Sequence, residues 1–371
     1  DAIWSSKMPD STEYGGSNME QIINRFAVKG IPVTSCRFGE GHINETYLVT
    51  CDTGLSYILQ KINRQVFQNP EGLMENIVRV TAFLEHRTTD RRMSMHLVPA
   101  SDGCMYTVDE KGEYWRVYEF VTDSICLQRA EKPQDLYHVG LAFGNFQQLL
   151  ADFPAGVFHE SIRDFHNTKV RYMQFHEALE RDIMGRAESC VKEIRFALAH
   201  ESEAGMIVDG LADGTLPLRV THNDTKLNNI LLDYTTRKPL CVIDLDTVMP
   251  GSALYDYGDS VRFGVSTALE DEKDLTKVHV DMDLYQVFTK GYLDGCGGSL
   301  TEAETVLLPV GAKLMTLECG VRFLTDHLNG DRYFRISRES HNLDRCRTQF
   351  KLVQEMEDRW EEITRMIREM S

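Results

Sequence analysis

The apolar residues of this chain change their spacing near residue 120, and that change restricts the folds open to it more than any other feature. Before it, short β-branched and aromatic runs (RFGEGHINETYLVT, SYILQKIN, MHLVPA, CMYTVD, YWRVYEFV) are split by Gly, Asp and polar turn residues. Such runs predict an antiparallel meander, because residues two apart share one face of a strand. One helical stretch interrupts them, EGLMENIVRVTAFLEHR, with Leu73, Ile77, Val80 and Leu84 at helical spacing and Pro70 just ahead of it. Beyond residue 120 the helical period takes over, starting with the stripe Leu136, Val139, Phe143, Phe146 and Leu150. The last stretch, LDRCRTQFKLVQEMEDRWEEITRMI, reads as one closing helix with Met356, Trp360 and Ile363 toward the core. An α+β chain follows, with a small lobe of antiparallel sheet plus helix and a large, mostly helical lobe.

Two segments break the helical half, LRVTHNDTKLNNILLD and PLCVIDLDTV, short apolar runs that end in clusters of Asp and Asn. Their order is informative. His222, Asp224 and Asn229 form an HxDxxxxN pattern, and Asp244 follows Asn229 by fifteen residues after an apolar strand. Kinases place catalytic base, metal amide and metal carboxylate in that order. Phosphoryl transfer needs a carboxylate to orient the acceptor hydroxyl and take its proton, a cation on the moving group, and oxygen ligands for Mg²⁺. Asp224 and Lys226 are therefore the candidate catalytic residues, and Asn229 and Asp244 the candidate metal ligands. His222 is expected to pack the loop. Asp256 and Asp259, in LYDYGDS, follow the metal loop closely and are expected to fix that loop's backbone by hydrogen bonds rather than to touch substrate.

The small lobe supplies the matching nucleotide parts of a bilobal, protein-kinase-like fold. Gly39, Gly41 and Asn44 lie in a turn between two strands, where missing side chains let backbone amides approach phosphates; a plain β-turn is the alternative. In Tyr57-Ile58-Leu59-Gln60-Lys61, the position of the usual strand lysine falls on Gln60, and alternation turns Lys61 to the opposite face. Which of the two serves the phosphates stays open. Glu75 reads as a solvated helical residue. Glu119 and Val121, at the end of a strand, are candidate backbone contacts for adenine. The expected division is a flexible lead-in over 1–18, a nucleotide-binding lobe over 19–118, a hinge at 119–121 and a catalytic and acceptor-binding lobe over 122–371.

Composition excludes several partners. Over 371 residues, Lys+Arg 40 against Asp+Glu 57 leaves a net charge of −17, which disfavours nucleic acid and anionic membranes. No apolar stretch is long enough to span a membrane, and no basic-then-apolar signal order opens the chain, so a cytoplasmic location is expected. Nine scattered cysteines without a CxxC pair argue against a disulfide framework or a zinc site. The oligomeric state is not set by the sequence; a monomer is compatible with all of it.

THNDTKLNNILLD followed by VIDLDTVMPGSALYDYGDSVRFG resembles the aminoglycoside-phosphotransferase-like kinases of small molecules. Protein kinases are more distant, since Asp244-Leu245-Asp246 stands where they carry Asp-Phe-Gly. With GEGHINETYLV, STALEDEKDL, ECGVRFL and KLVQEME, the chain is similar over roughly residues 20 to 360 to the N-acetylhexosamine 1-kinases. That resemblance implies ATP- and Mg²⁺-dependent phosphorylation of the anomeric hydroxyl of N-acetylglucosamine or N-acetylgalactosamine. It also implies sugar contacts at His42, Phe263, Arg322 and Tyr333, together with Asp224. The residue types suit a pyranose, although Phe263 and Tyr333 could instead be core aromatics and Arg322 could pair with Glu318. Two alternatives remain at this stage: a kinase of another small alcohol (choline, homoserine or an aminoglycoside), and, more remotely, a nucleotide-binding pseudokinase scaffold.

Overall fold

The computed structural model describes residues 17–39 and 43–371. It divides into two compact units. The first comprises the described residues up to Arg129 with Gly156–Arg163 and Leu227–Met249; the second comprises Ala130–Ala155, Asp164–Lys226 and Pro250–Ser371. Contacts thus gather the strands after the HNDTK loop with the N-terminal sheet, although they lie a hundred residues further along the chain.

The first unit opens with α1 (Ser17–Ile23), which begins inside the expected lead-in; residues 1–16 lie outside the described residues. Then come β1 (Pro32–Arg37), β2 (Glu45–Cys51), β3 (Ser56–Lys61), α2 (Pro70–Glu85), β4 (Thr107–Val108), β5 (Tyr114–Glu119) and β6 (Ser124–Cys126). Five of the strands form an antiparallel sheet in the order β1-β2-β3-β5-β4. α2 is the expected helix: the Asn69 side chain accepts the Gly72 amide at 3.0 Å, and Pro70 fills the first turn, where a missing N–H costs nothing. MHLVPA forms no strand of its own. Pro99 lacks the N–H a ladder needs, so the segment only touches the sheet, the Val98 amide donating to the Val117 carbonyl at 2.8 Å.

Alternation along the paired strands β3 and β5 decides the chemistry. Tyr57, Leu59, Trp115 and Val117 point into a core with Ile22 and Ile23 of α1 and Phe26, three residues past its end. Their neighbours Gln60 and Arg116, opposite each other in the β3–β5 register, therefore share the other face, where Met74 of α2 lies.

The second unit runs through α3 (Pro133–Leu149), α4 (Thr168–Arg181), α5 (Val191–His200), α6 (Met206–Asp213) and β7 (Arg219–Thr221). The chain then gives β8 (Ile230–Asp233) and β9 (Pro239–Val242) to the first unit, where they extend β6 into a small sheet, β6-β8-β9. After β10 (Met249–Gly251) the second unit resumes with α7 (Ala253–Gly264), α8 (Met282–Cys296), α9 (Glu302–Leu328), α10 (His341–Asp358) and α11 (Trp360–Met370). The α3 stripe read from the sequence is fully buried. α3 and α8 cross backbone to backbone: a Cβ at Gly140, Gly144, Gly291 or Gly295 would run into a carbonyl oxygen of the facing helix. No other residue allows that approach.

The closing segment is two helices, not one. Arg359, at φ −111° and ψ 19°, interrupts it, so that α10 buries Leu352, Val353 and Met356 while α11 separately buries Ile363 and Ile367. Trp360 is half-buried at the break, with the Lys313 ammonium 5.3 Å from its ring centre. All nine cysteines are free, and burial pushes the Cys241 thiol up to about 12. No helix among the described residues is long and apolar enough to cross a membrane.

Candidate active site

In the first unit the β1–β2 turn starts as its glycine demands: Gly39 has φ +76°, a conformation that an L side chain would strain. Gly41 and His42 lie outside the described residues. Asn44 closes the turn, its Oδ1 accepting the Asn63 amide at 2.9 Å and its Nδ2 donating to Asp246.

Gln60 and Lys61 lie on opposite faces of the sheet. Lys61 is on the far face, ion-paired with Glu45 at 3.1 Å and Glu113 at 3.5 Å, which raises its pKa against the cost of burial. Gln60 faces inward. Its Nε2 donates to Thr46 Oγ1 at 3.0 Å, and its Oε1 accepts from Arg116 Nε at 3.0 Å and Nη2 at 2.9 Å. Arg116 in turn donates from Nη2 to Asp246 Oδ2 at 2.8 Å and from Nη1 to Oδ1. This guanidinium is 1% exposed and Asp246 is 3% exposed, so the pair is a buried, bidentate one. Burial works against the Arg116 charge, but Asp246, with Asp244 nearby, raises its pKa further. Glu75 takes no part in this cluster; it is exposed and pairs with Arg79 and His159.

The two candidate metal ligands stand at one end of the β8–β9 pair. The Asn229 carbonyl accepts the Ile243 amide at 2.9 Å, and Asp244 follows directly at φ +59°. An amide oxygen and a carboxylate are the hard donors that Mg²⁺ takes, its other positions going to water and phosphate oxygens, so these residues fit that ion. At the end of β5, the Glu119 amide already donates to the His96 carbonyl at 2.9 Å and the Val121 carbonyl accepts the Ser124 hydroxyl at 2.7 Å. The Glu119 side chain pairs with Arg91.

In the second unit the catalytic-loop candidates hang on Asp256. This fully buried carboxylate accepts the amides of His222 at 2.9 Å and Asn223 at 2.7 Å and the Gln147 side chain at 2.8 Å. Burial raises its pKa although all three donors oppose the shift. Thr225 donates to the Asp256 carbonyl at 2.6 Å, and Ser260 donates to the Thr225 carbonyl at 2.8 Å, which ties the loop to α7. Gly251 passes so close that a Cβ there would collide with the Thr221 hydroxyl. His222 is sealed against Phe143 and Phe146, with ring centres 5.6 and 6.1 Å away. Asp224 and Lys226 remain accessible and pair at 2.6 Å; the Asp224 charge raises the Lys226 pKa. Asp259 is bound to Arg262 at 2.9 and 3.1 Å.

A second support reaches the loop from the other side. His166 Nδ1 lies 2.9 Å from Glu318 and Nε2 lies 3.0 Å from the Asn223 carbonyl. Both partners only accept, so both ring nitrogens carry protons and His166 is an imidazolium. Burial opposes that charge, yet the hydrogen bond and charge of Glu318 raise the His166 pKa, and Glu318 is lowered in return. Glu318 also accepts the Thr168 hydroxyl at 2.6 Å and makes no ion pair with Arg322.

Arg322 instead lies among aromatic rings, 5.5 Å from Phe165, 5.7 Å from Tyr333 and 5.4 Å from Phe334. Tyr333 is 65% exposed and Phe263 is 40% exposed, so neither is a core aromatic. Arg322, Tyr333 and Phe334 line a cavity of about 240 Å³ together with Arg171, Arg181 and Asp326. Burial and the positive Arg322 lower the Arg171 pKa. Asp326 is engaged by the amides of Arg332, Tyr333 and Phe334 at 2.9, 2.8 and 2.9 Å.

Sequence reasoning passed over Arg116 and His166, and it named their partners Asp246 and Glu318 only in other settings. WRVYE does mark Arg116 as facing away from Trp115 and Val117, but only the β3–β5 register puts it opposite Gln60. No local pattern pairs His166 with a glutamate 152 residues further along the chain.

Residues 34–280 match the phosphotransferase enzyme family. Among solved structures, an aminopropanol kinase associated with a microcompartment is 16% identical, with a TM-score of 0.59 over 94% of this chain and 98% of that one. An aminoglycoside phosphotransferase from Alicyclobacillus acidocaldarius is 10% identical, with a TM-score of 0.60 over 97% and 98%. An amicoumacin kinase solved in complex with AMP-PNP, Ca²⁺ and Ami is 14% identical, with a TM-score of 0.56 over 88% of each chain. These structures share the fold, a five-stranded antiparallel sheet unit joined in one chain to a mostly helical unit. With two thirds of its length matched, the chain belongs to the phosphotransferase enzyme family.

Proposed function

We propose that this protein uses ATP and Mg²⁺ to phosphorylate the anomeric hydroxyl of an N-acetylhexosamine, N-acetylglucosamine or N-acetylgalactosamine. The observation that carries the acceptor assignment is the exposed ring of Tyr333 beside Arg322 in a small cavity; Phe263 is a second exposed ring but does not line that cavity. An aromatic face packs on the C–H face of a pyranose, and a guanidinium donates to hydroxyls or an acetamide carbonyl. At about 240 Å³ the cavity lies below the range of drug-sized pockets, which start near 300 Å³, and suits a small acceptor. Three arginines line it against two acids, Glu177 and Asp326, the second of which is held by backbone amides, so cations outnumber acids in the lining. That balance disfavours the cationic acceptors of choline and aminoglycoside kinases.

In this reading Asp224 orients the C1 hydroxyl in line with the γ-phosphoryl group and takes its proton as the new P–O bond forms and the bond to the β-phosphate oxygen breaks. Lys226, already on Asp224, offsets charge on the equatorial oxygens. Asn229 and Asp244 hold Mg²⁺, which when bound neutralises phosphate charge. Gly39 and Asn44 sit under the phosphates, and the purine lies on the backbone near Glu119 and Val121. The Glu119 amide is taken by His96, so it is not the donor a purine would use.

Phosphorus NMR of a reaction containing ATP, Mg²⁺ and each sugar tests the proposal. An anomeric phosphate signal coupled to H1, absent with Asp224→Asn, is the expected result. No sugar phosphate from either sugar, with ATP still bound, would discard the sugar assignment.

A further inference from the structure

The inner face of the first unit's sheet carries no strand lysine, yet it is not without a cation. Arg116 lies opposite Gln60 in the register, buried, with Nε and Nη2 on the Gln60 amide oxygen and both terminal nitrogens on Asp246. Asp246 is two residues beyond the candidate metal ligand Asp244, in the short turn Leu245–Thr247. Its Oδ2 also accepts from Asn44, which closes the glycine turn and is held in turn by the Asn63 amide at 2.9 Å. One carboxylate thus connects β5, the phosphate-side turn and the metal-side loop, and Arg116 is the charge that makes its burial tolerable.

We propose that Arg116 and Asp246 form the positioning pair of this nucleotide site, taking the place of the absent strand lysine: Arg116 fixes Asp246, and Asp246 sets Asp244 and Asn44 for Mg²⁺ and the phosphates. The proposal rests on the assignment of Asn229 and Asp244 as metal ligands. Arg116 acts through Asp246 rather than on the nucleotide, since its guanidinium is enclosed and Nε, Nη1 and Nη2 are all committed to Gln60 and Asp246. Gln60 has a defined part as well: an amide can accept two N–H donors from the guanidinium and still donate to Thr46, which a lysine at that position could not do.

Calorimetric titration of ADP with and without Mg²⁺, with no acceptor present, separates positioning from a merely structural role. Arg116→Gln alone leaves Asp246 buried without a counter-charge and can unfold the chain. The informative variants are therefore the charge-free pair Arg116→Gln/Asp246→Asn and the strand exchange Gln60→Lys/Arg116→Gln, each checked for folding by circular dichroism. The expected result is a loss of Mg²⁺-dependent ADP affinity of about tenfold or more in the charge-free pair. Metal-free ADP binding should stay within about twofold, and the exchange, which returns a cation from the neighbouring strand, should recover most of the loss. Wild-type Mg²⁺ dependence in the folded charge-free pair would overturn the proposal and leave a structural ion pair. An equal loss with and without Mg²⁺ would also overturn it, because Arg116 would then act on the nucleotide itself. If Mg²⁺ fails to strengthen ADP binding to the wild-type protein, the metal assignment of Asn229 and Asp244 falls, and this proposal with it.

Discussion

Replacing His166 with Gln should make the stability of the second unit less dependent on pH in one definite direction. In the wild type the imidazolium lies between the Glu318 carboxylate at 2.9 Å and the Asn223 carbonyl at 3.0 Å, with Asp259 adding to its electrostatic surroundings. The His166 pKa is raised, so its contribution is complete below the unfolded value near 6.5 and is lost as pH rises through the folded value. Glu318 is lowered, so its contribution is present above the usual carboxylate range and is lost only as pH falls through its own depressed value. The pair therefore stabilises most between about pH 5 and 6.5. There His166→Gln should cost about 3 kcal/mol, the low end for breaking a buried ion pair, because Thr168 still donates to Glu318 at 2.6 Å. Above that window the gap between wild type and variant should narrow by up to about 1.4 kcal/mol per pH unit. Urea denaturation from pH 5 to 9 measures the gap, and long-range proton–nitrogen spectra of the histidine rings report the His166 charge directly. A gap that does not change with pH, or a His166 ring titrating at or below the value of a free imidazole, would refute the reasoning.

Three further outcomes can be checked with standard variants. Asp224→Asn should lower kcat by about 10² to 10⁴ while ADP affinity and the urea midpoint stay near wild type; retention of half the wild-type rate would remove Asp224 as the base. Gly144→Ala should destabilise the second unit by about 1–3 kcal/mol, since its Cβ has nowhere to go against the Tyr292 carbonyl, and an unchanged denaturation curve would contradict the close crossing of α3 and α8. Phe263→Ala and Tyr333→Ala should each raise the KM for the acetamido sugar by about three- to tenfold with kcat little altered, as loss of an aromatic face on bound substrate requires; equal KM values would place the sugar elsewhere.

Much of the local architecture was legible because it rests on periods that a single segment carries. The apolar stripe of α3, the capped start of α2 and the strand runs of the sheet all appear where the spacing predicts them. The exceptions have local physical causes too: Pro99 keeps MHLVPA out of the ladder, and the closing helix divides at Arg359 so that two apolar stripes can each be buried. Asp256 holds a loop backbone, but that of the catalytic loop at His222 and Asn223 and not that of the metal loop its motif follows, while Asp259 is bound to Arg262. Arg322 and Glu318 make no close ion pair, because Glu318 is committed to His166 and Thr168, although each charge still favours the other.

The sequence alone determined the order of the candidate phosphoryl-transfer residues, Asp224, Lys226, Asn229 and Asp244, and the change from a sheet unit to a helical one, since both are written in spacing along the chain. Only the tertiary structure decided which cation stands at Gln60 and what supports Asn223. Arg116 reaches Asp246 across 130 residues and His166 reaches Glu318 across 152. Such pairs depend on strand register and helix packing, which place distant side chains in one buried space where a charge persists only beside its partner.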